Sequence, residues 1–157
     1  MRGLNRVLVC VALLGVLGAC APATRGASAL RATALGHMPP PEGSALVSEI
    51  YRAPFRTLEA EYRATYTRVF ATNTPEQFAR AVAEYARQNR FTVDTSFDKP
   101  LINTGPGYMT GAHAKGEIAS VTLVFYDLDS ASWRQQCQVT IDCGVWRYMA
   151  ELTIWEL

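Results

Sequence analysis

Histidine is nearly absent from this chain of 157 residues, which carries only His37 and His113. That leaves little from which to build a Ser-His-Asp triad or a histidine-rich metal centre. The G-x-S-x-G serine elbow, the H-E-x-x-H helix and the Walker and dinucleotide-binding loops are missing as well. Neither sign of charge dominates: 15 Lys and Arg stand against 14 Asp and Glu, for a net charge of +1. A nucleic-acid-binding domain normally shows a basic excess, so no nucleic-acid partner is expected. Long apolar runs are scarce too. The one near the N-terminus is too short to cross a bilayer as a helix.

That run defines the front of the chain. Arg2 and Arg6 make a short positive region, and Val7 to Leu17 follow almost unbroken as apolar residues. About 11 residues suits a signal-peptide core, against roughly 20 for a membrane-spanning helix. Gly18, Ala19 and Cys20 come next. The stretch Leu17-Gly18-Ala19-Cys20 resembles the lipobox of bacterial lipoproteins. The resemblance is confined to the start of the chain. It implies that 1–19 is a signal peptide to be removed, Cys10 with it, and that Cys20 becomes an acylated N-terminus carrying palmitate or similar chains. In that class an Asp after the cysteine retains the protein in the inner membrane. Ala21 stands there instead, so the resemblance implies the periplasmic face of the outer membrane. Each buried CH₂ contributes about 0.8 kcal/mol and one chain alone holds only reversibly, so several chains together make a firm anchor.

Between Cys20 and Ser44 the residues are mostly Ala, Gly, Pro, Ser and Thr, with Pro39-Pro40-Pro41 near the end. Such a composition buries little and reads as a flexible tether over 20–44, with His37 in solvent. A single globular domain is then expected over 45–157.

Within that domain Leu46, Val47, Ile50 and Tyr51 have the spacing of a short helix ended by Pro54. The segment 57–72 fits two readings. Leu58, Ala60, Tyr62, Ala64, Tyr66 and Phe70 alternate as in a strand, while Phe55, Leu58, Tyr62, Tyr66 and Val69 also form a helical stripe. Its Thr and Tyr content favours the strand. Thr74, Pro75 and Gln77 read as the capped start of an amphipathic helix with Phe78, Ala81, Val82 and Tyr85 on one face and Asn89 as its stop. Strands are expected over 91–95, 119–126 and 145–157. The order strand, helix, strand, strand, strand predicts an α+β fold, a small antiparallel sheet with one amphipathic helix on one face.

Candidate chemistry is sparse. His113, in a polar loop near Asp94, Asp98 and Glu117, is the one candidate acid–base group of the domain; a lone loop histidine is more often only solvated. Asp127 and Asp129 lack the six or more oxygens that calcium needs and read as a turn. Gly105-Pro106-Gly107 leads into no clear helix and reads the same way. No catalytic residue, metal or cofactor is therefore assigned. Trp146 falls on the apolar side of the last strand. Trp133, in a loop, and Trp155, on the strand's other side, are candidate partner-binding residues, since exposed aromatics anchor interfaces. Two functions follow: a membrane-anchored, non-catalytic accessory, assembly or binding module of the envelope that engages another envelope protein, or an envelope hydrolase using His113 and nearby carboxylates.

Cys137 and Cys143 remain. C-x₅-C is neither a redox C-x-x-C nor a zinc pattern, and an oxidising envelope favours pairing. A fully extended Cys137–Cys143 segment would hold the Cα atoms roughly 20 Å apart, while a disulfide needs about 7 Å. The bridge therefore requires Gln138 to Asp142 to bend back, against the strand-like Val139-Thr140-Ile141, and it would then contribute about 2 kcal/mol by loop closure. Alkylation of the folded, unreduced protein is expected to leave both cysteines unlabelled; two readily labelled thiols would overturn the pairing.

Overall fold

The computed structural model describes residues 22–100, 102–103, 112–116, 118–130 and 144–157. Cys20, Glu117, Trp133, Cys137, Cys143 and the Gly105-Pro106-Gly107 turn lie outside them. The fold is the expected α+β arrangement, a mostly antiparallel sheet with a main helix packed on one face. Strand β1 (Ser44–Arg52) pairs with β4 (Thr65–Thr72). Next to β4 lie β9 (Tyr148–Glu156), β8 (Ala119–Asp127), β7 (Ala112–Lys115) and β5 (Thr92–Val93), giving the order β1-β4-β9-β8-β7-β5. A short parallel strand, β6 (Ile102–Asn103), continues the β7 edge along Phe125 and Tyr126 of β8.

Strand β4 is flanked on both sides, by β1 and β9, and is buried on both faces from Arg68 to Thr72. Tyr66 and Phe70 join Val121, Leu123, Phe125, Ala150, Leu152 and Ile154 in the main core. Helix α3 (Pro75–Gln88) packs there through Phe78, Ala79, Val82, Ala83 and Ala86. Phe78 is the key: its ring centroid is 5.2 Å from Phe70 on β4 and 5.8 Å, edge-on, from Phe125 on β8. Such tilted contacts add to the area that the rings bury. Asn89 closes the helix as expected, its side-chain amide donating to the Tyr85 carbonyl. The capping box does not form. Pro75 opens the helix, but the Thr74 side chain makes no capping bond; its N–H instead donates to Thr72 Oγ1.

Three further expectations within 45–157 need correction. The stretch expected as a short helix, Leu46 to Tyr51, is β1. A bulge between Leu46 and Ser48 shifts the pleat, so that Val47 and Tyr51 are packed on opposite faces while Leu46 is exposed. One inserted residue turned period two into something like period 3.6. The alternation over 57–72 does not belong to one strand. The chain turns at Thr57–Ala60, between β2 (Phe55–Arg56) and β3 (Glu61–Tyr62), and only Thr65–Thr72 enters the sheet. Trp146 packs with Met149, Val69 and Tyr126, on the opposite face from Leu152.

The tether is the largest correction. Helix α1 (Pro22–Arg31) and the single turn α2 (Ala34–His37) occupy most of the stretch expected to be flexible. His37 is exposed as expected, but Leu30, Leu35 and Met38 are buried in the main core. Thr33 caps α2, accepting the Gly36 N–H and donating to the Leu30 carbonyl. Arg68 fastens these helices to the sheet. It is only 4% exposed, and its Nη1 donates to the carbonyls of Met38 (2.6 Å) and Leu35 (3.2 Å). Its Nε lies 3.4 Å from the Glu49 carboxylate on β1, which also pairs with Arg31 of α1 at 3.6 Å. The guanidinium also stands over the Phe70 ring. Burial, with Glu49 beside it, pushes the Tyr66 hydroxyl up to about 12.

Removing one member of a buried, hydrogen-bonded charge set costs more than the set itself contributes, because its partners lose their donors. Arg68→Met is therefore expected to lower stability by about 3 kcal/mol. Glu49→Gln, at a site 31% exposed, should cost distinctly less. Urea unfolding checks both; an Arg68→Met midpoint equal to wild type would refute the role given to Arg68.

Candidate functional site

His113 sits on β7 opposite Thr122 of β8. Its Nδ1 is 3.4 Å from Thr122 Oγ1, which also accepts the Trp155 indole N–H at 3.2 Å. Trp155, Thr122 and His113 thus form a row across β9, β8 and β7, on the face away from the helices. A nucleophile–base pair works at about 2.6–3.2 Å, and the Thr122–His113 separation is longer than that. The carboxylate on the segment paired with it, Asp94, is occupied. Asp94 accepts the Ser96 N–H at 2.9 Å and the Thr95 hydroxyl at 3.3 Å. These bonds, the Ser96 one foremost, hold its carboxyl below the usual range. Asp94 and His113 are joined through the main chain, Asp94 N–H to His113 carbonyl. A depression of about 370 Å³ lies between them, bordered also by Thr92, Lys115 and Ser120.

Among the described residues no cluster of three His, Cys, Asp or Glu is arranged to hold a metal ion. Asp127 and Asp129 form a turn, Asp129 N–H to Asp127 Oδ1, and face Arg147 at 3.7 and 3.9 Å.

The exposed apolar residues have a clearer geometry. The end of the sheet where β1 leaves, β4 and β8 begin and β9 finishes carries Phe55, Leu58, Tyr62, Ile118, Trp155 and Leu157 in exposed positions. At the opposite end only Leu46 and Val145 are comparable among the described residues. The β2–β3 hairpin extends beyond this crowded end. Its Phe55 and Tyr62 rings stack 4.3 Å apart, and Leu58 at its tip is fully exposed. Of the two candidate tryptophans, Trp155 is placed on this rim, and Trp133 lies outside the described residues. Sequence reading missed the hairpin residues, because an alternation that suits a strand also suits a hairpin. The sole signal was Thr57, a residue that favours turns.

Glu151 was missed as well. It lies on β9 between Val69 of β4 and Val124 of β8, on the face away from the helices. Tyr126 donates to its Oε2 at 3.2 Å. Burial among these neighbours raises the Glu151 carboxyl above its usual value, the Tyr126 bond and the Arg52 charge opposing this only in part. Burial and the same carboxylate also push the Tyr126 hydroxyl up.

Comparison with protein-family models, with curated proteins and with solved structures finds no match to this chain. Its function is therefore argued from these surfaces and from the front of the sequence.

The Glu151 carboxyl binds its proton more tightly in the folded state than in the unfolded one. Stability must then fall as pH rises from the ordinary carboxylate value through the higher folded one. Glu151→Gln keeps an acceptor for Tyr126 and removes the charge. It is expected to be at least as stable as wild type at neutral pH, with the difference shrinking in acid. Urea midpoints measured across pH check this; a Glu151→Gln variant less stable at neutral pH than in acid, relative to wild type, would refute it.

Proposed function

We propose that this chain is a lipid-anchored protein of the bacterial cell envelope that serves as a non-catalytic accessory, assembly or binding module. The observation that carries the reading is Leu17-Gly18-Ala19-Cys20 behind a charged start and a short apolar core. No described helix is long and apolar enough to cross a membrane; in this reading the acyl chains on Cys20 attach the chain. Ala21 supports the periplasmic face of the outer membrane as the location. The surroundings of His113 support a binding rather than a hydrolytic role, since its neighbouring hydroxyl lies beyond nucleophile–base distance and the Asp94 carboxylate is engaged by Ser96 and Thr95. Another envelope protein is the natural second partner.

Cys20→Ala is expected to abolish acylation, leaving an unprocessed precursor or a product released from membranes. Intact-mass analysis and membrane fractionation of wild type and variant check this. A wild-type N-terminus at a residue other than Cys20, carrying no lipid mass, would refute the reading.

A further inference from the structure

We infer that the apolar end of the sheet faces the lipid bilayer, with the β2–β3 hairpin dipping into the headgroup region beside the acylated N-terminus. This rests on lipidation of Cys20. The placement of the hairpin relative to that residue comes from the fold. Gly26 of α1 lies against the hairpin base: a Cβ there would stand 3.3 Å from Tyr51 Oη and 3.7 Å from Ala64 Cβ. Five residues on, Arg31 pairs with Glu49, two residues back along β1 from Tyr51. Helix α1 therefore runs from the hairpin end toward the middle of the sheet, and its first residue, Pro22, is the part nearest the hairpin end. Cys20 is two residues upstream, within about 7 Å of Pro22 even when fully extended. A lipid at that position emerges at the same end as Phe55, Leu58, Tyr62, Trp155 and Leu157.

The hairpin suits that place physically. Leu58 offers an aliphatic tip, and the stacked Phe55 and Tyr62 offer aromatic rings of the kind enriched at membrane interfaces. Arg56 and Arg63 flank them, exposed, with stems long enough to lie along the apolar surface while their charges stay with phosphates. The turn satisfies its own main chain. The Thr57 N–H donates to the Ala60 carbonyl at 2.8 Å, and Thr57 Oγ1 accepts the N–H groups of Glu59 and Ala60. Few donors are left to be stripped of water, which is the usual obstacle to taking a turn toward lipid. Glu59 and Glu61 limit the depth to the headgroup level, about 5–10 Å. A lipid anchor alone leaves a domain free to rotate; a second contact at the same end fixes its orientation and presents the far end to the periplasm.

The test uses the full-length, lipidated protein in vesicles of phosphatidylethanolamine and phosphatidylglycerol with brominated acyl chains, which quench tryptophan at bilayer depth. Leu58→Trp places a reporter at the hairpin tip and Leu46→Trp places one at the opposite end, both at exposed positions that leave the core untouched. The expected result is a larger fractional loss of fluorescence, on changing from unbrominated to brominated vesicles, for Leu58→Trp than for wild type, and no larger loss than wild type for Leu46→Trp. Equal behaviour of the two variants, in protein that floats with the vesicles and carries the lipid mass, overturns the orientation and leaves the anchor standing. Protection of the tip without quenching, traced by crosslinking to an envelope protein, overturns it in favour of a protein partner. Absence of lipid on Cys20 overturns anchor and orientation together.

Discussion

One face of a six-strand sheet has to be covered, and one helix cannot cover it. Six strands spaced about 4.8 Å apart span roughly 24 Å, whereas a helix with its side chains is about 10 Å across. Helix α3, keyed between β4 and β8 by Phe78, covers only part of that width. Leu30, Leu35 and Met38 complete the core from α1 and α2. The N-terminal helices are thus a structural part of the domain, although their composition is that of a linker.

Covering the sheet with so short and polar a segment requires a fastening, and Arg68 provides it. Its guanidinium gathers the Leu35 and Met38 carbonyls, the Glu49 carboxylate and the Phe70 ring into one buried set. The segment after Cys20 is in this way fixed to the centre of the sheet. The starting point of α1 is fixed with it, beside Tyr51 and Ala64. A position that would have wandered on a flexible leash becomes a defined corner of the molecule.

That corner gives the molecule its polarity. The helix-covered face is closed. The other face bears the Trp155-Thr122-His113 row and the half-buried Glu151, groups that hold the sheet together across strands. Apolar side chains left in solvent collect at the end where α1 starts and the β2–β3 hairpin extends. Exposed apolar residues gathered at one place mark interaction surfaces more than scattered ones do. With the anchor proposed on Cys20, the opposite end is the one left for partners.

The α+β class, the boundaries of α3 and strands β8 and β9 were legible in the sequence because each rests on a local period: Phe78 and Val82 at helical spacing, Leu152 and Ile154 at strand spacing. The attachment proposed through Cys20 is also a local pattern, of charge, apolar core and small residues. Where the local period failed, something distant had replaced it. At Leu46–Tyr51 the bulge against β4 imitated a helix, and at Leu58–Tyr62 a hairpin imitated a strand. In α1 and α2 three apolar residues were too few to predict order but enough to fill a space left by α3. The raised carboxyl of Glu151 and the meeting of Trp155 with Thr122 and His113 depended on strand order, which places β9 between β4 and β8 although β9 comes last in the chain. By itself, then, the sequence determined which segments form α3, β8 and β9, since these are decided by neighbours a few residues away. Only the tertiary structure decided that the linker folds, which charge is buried and at which end the apolar rim lies, because each of those depends on residues brought together from distant parts of the chain.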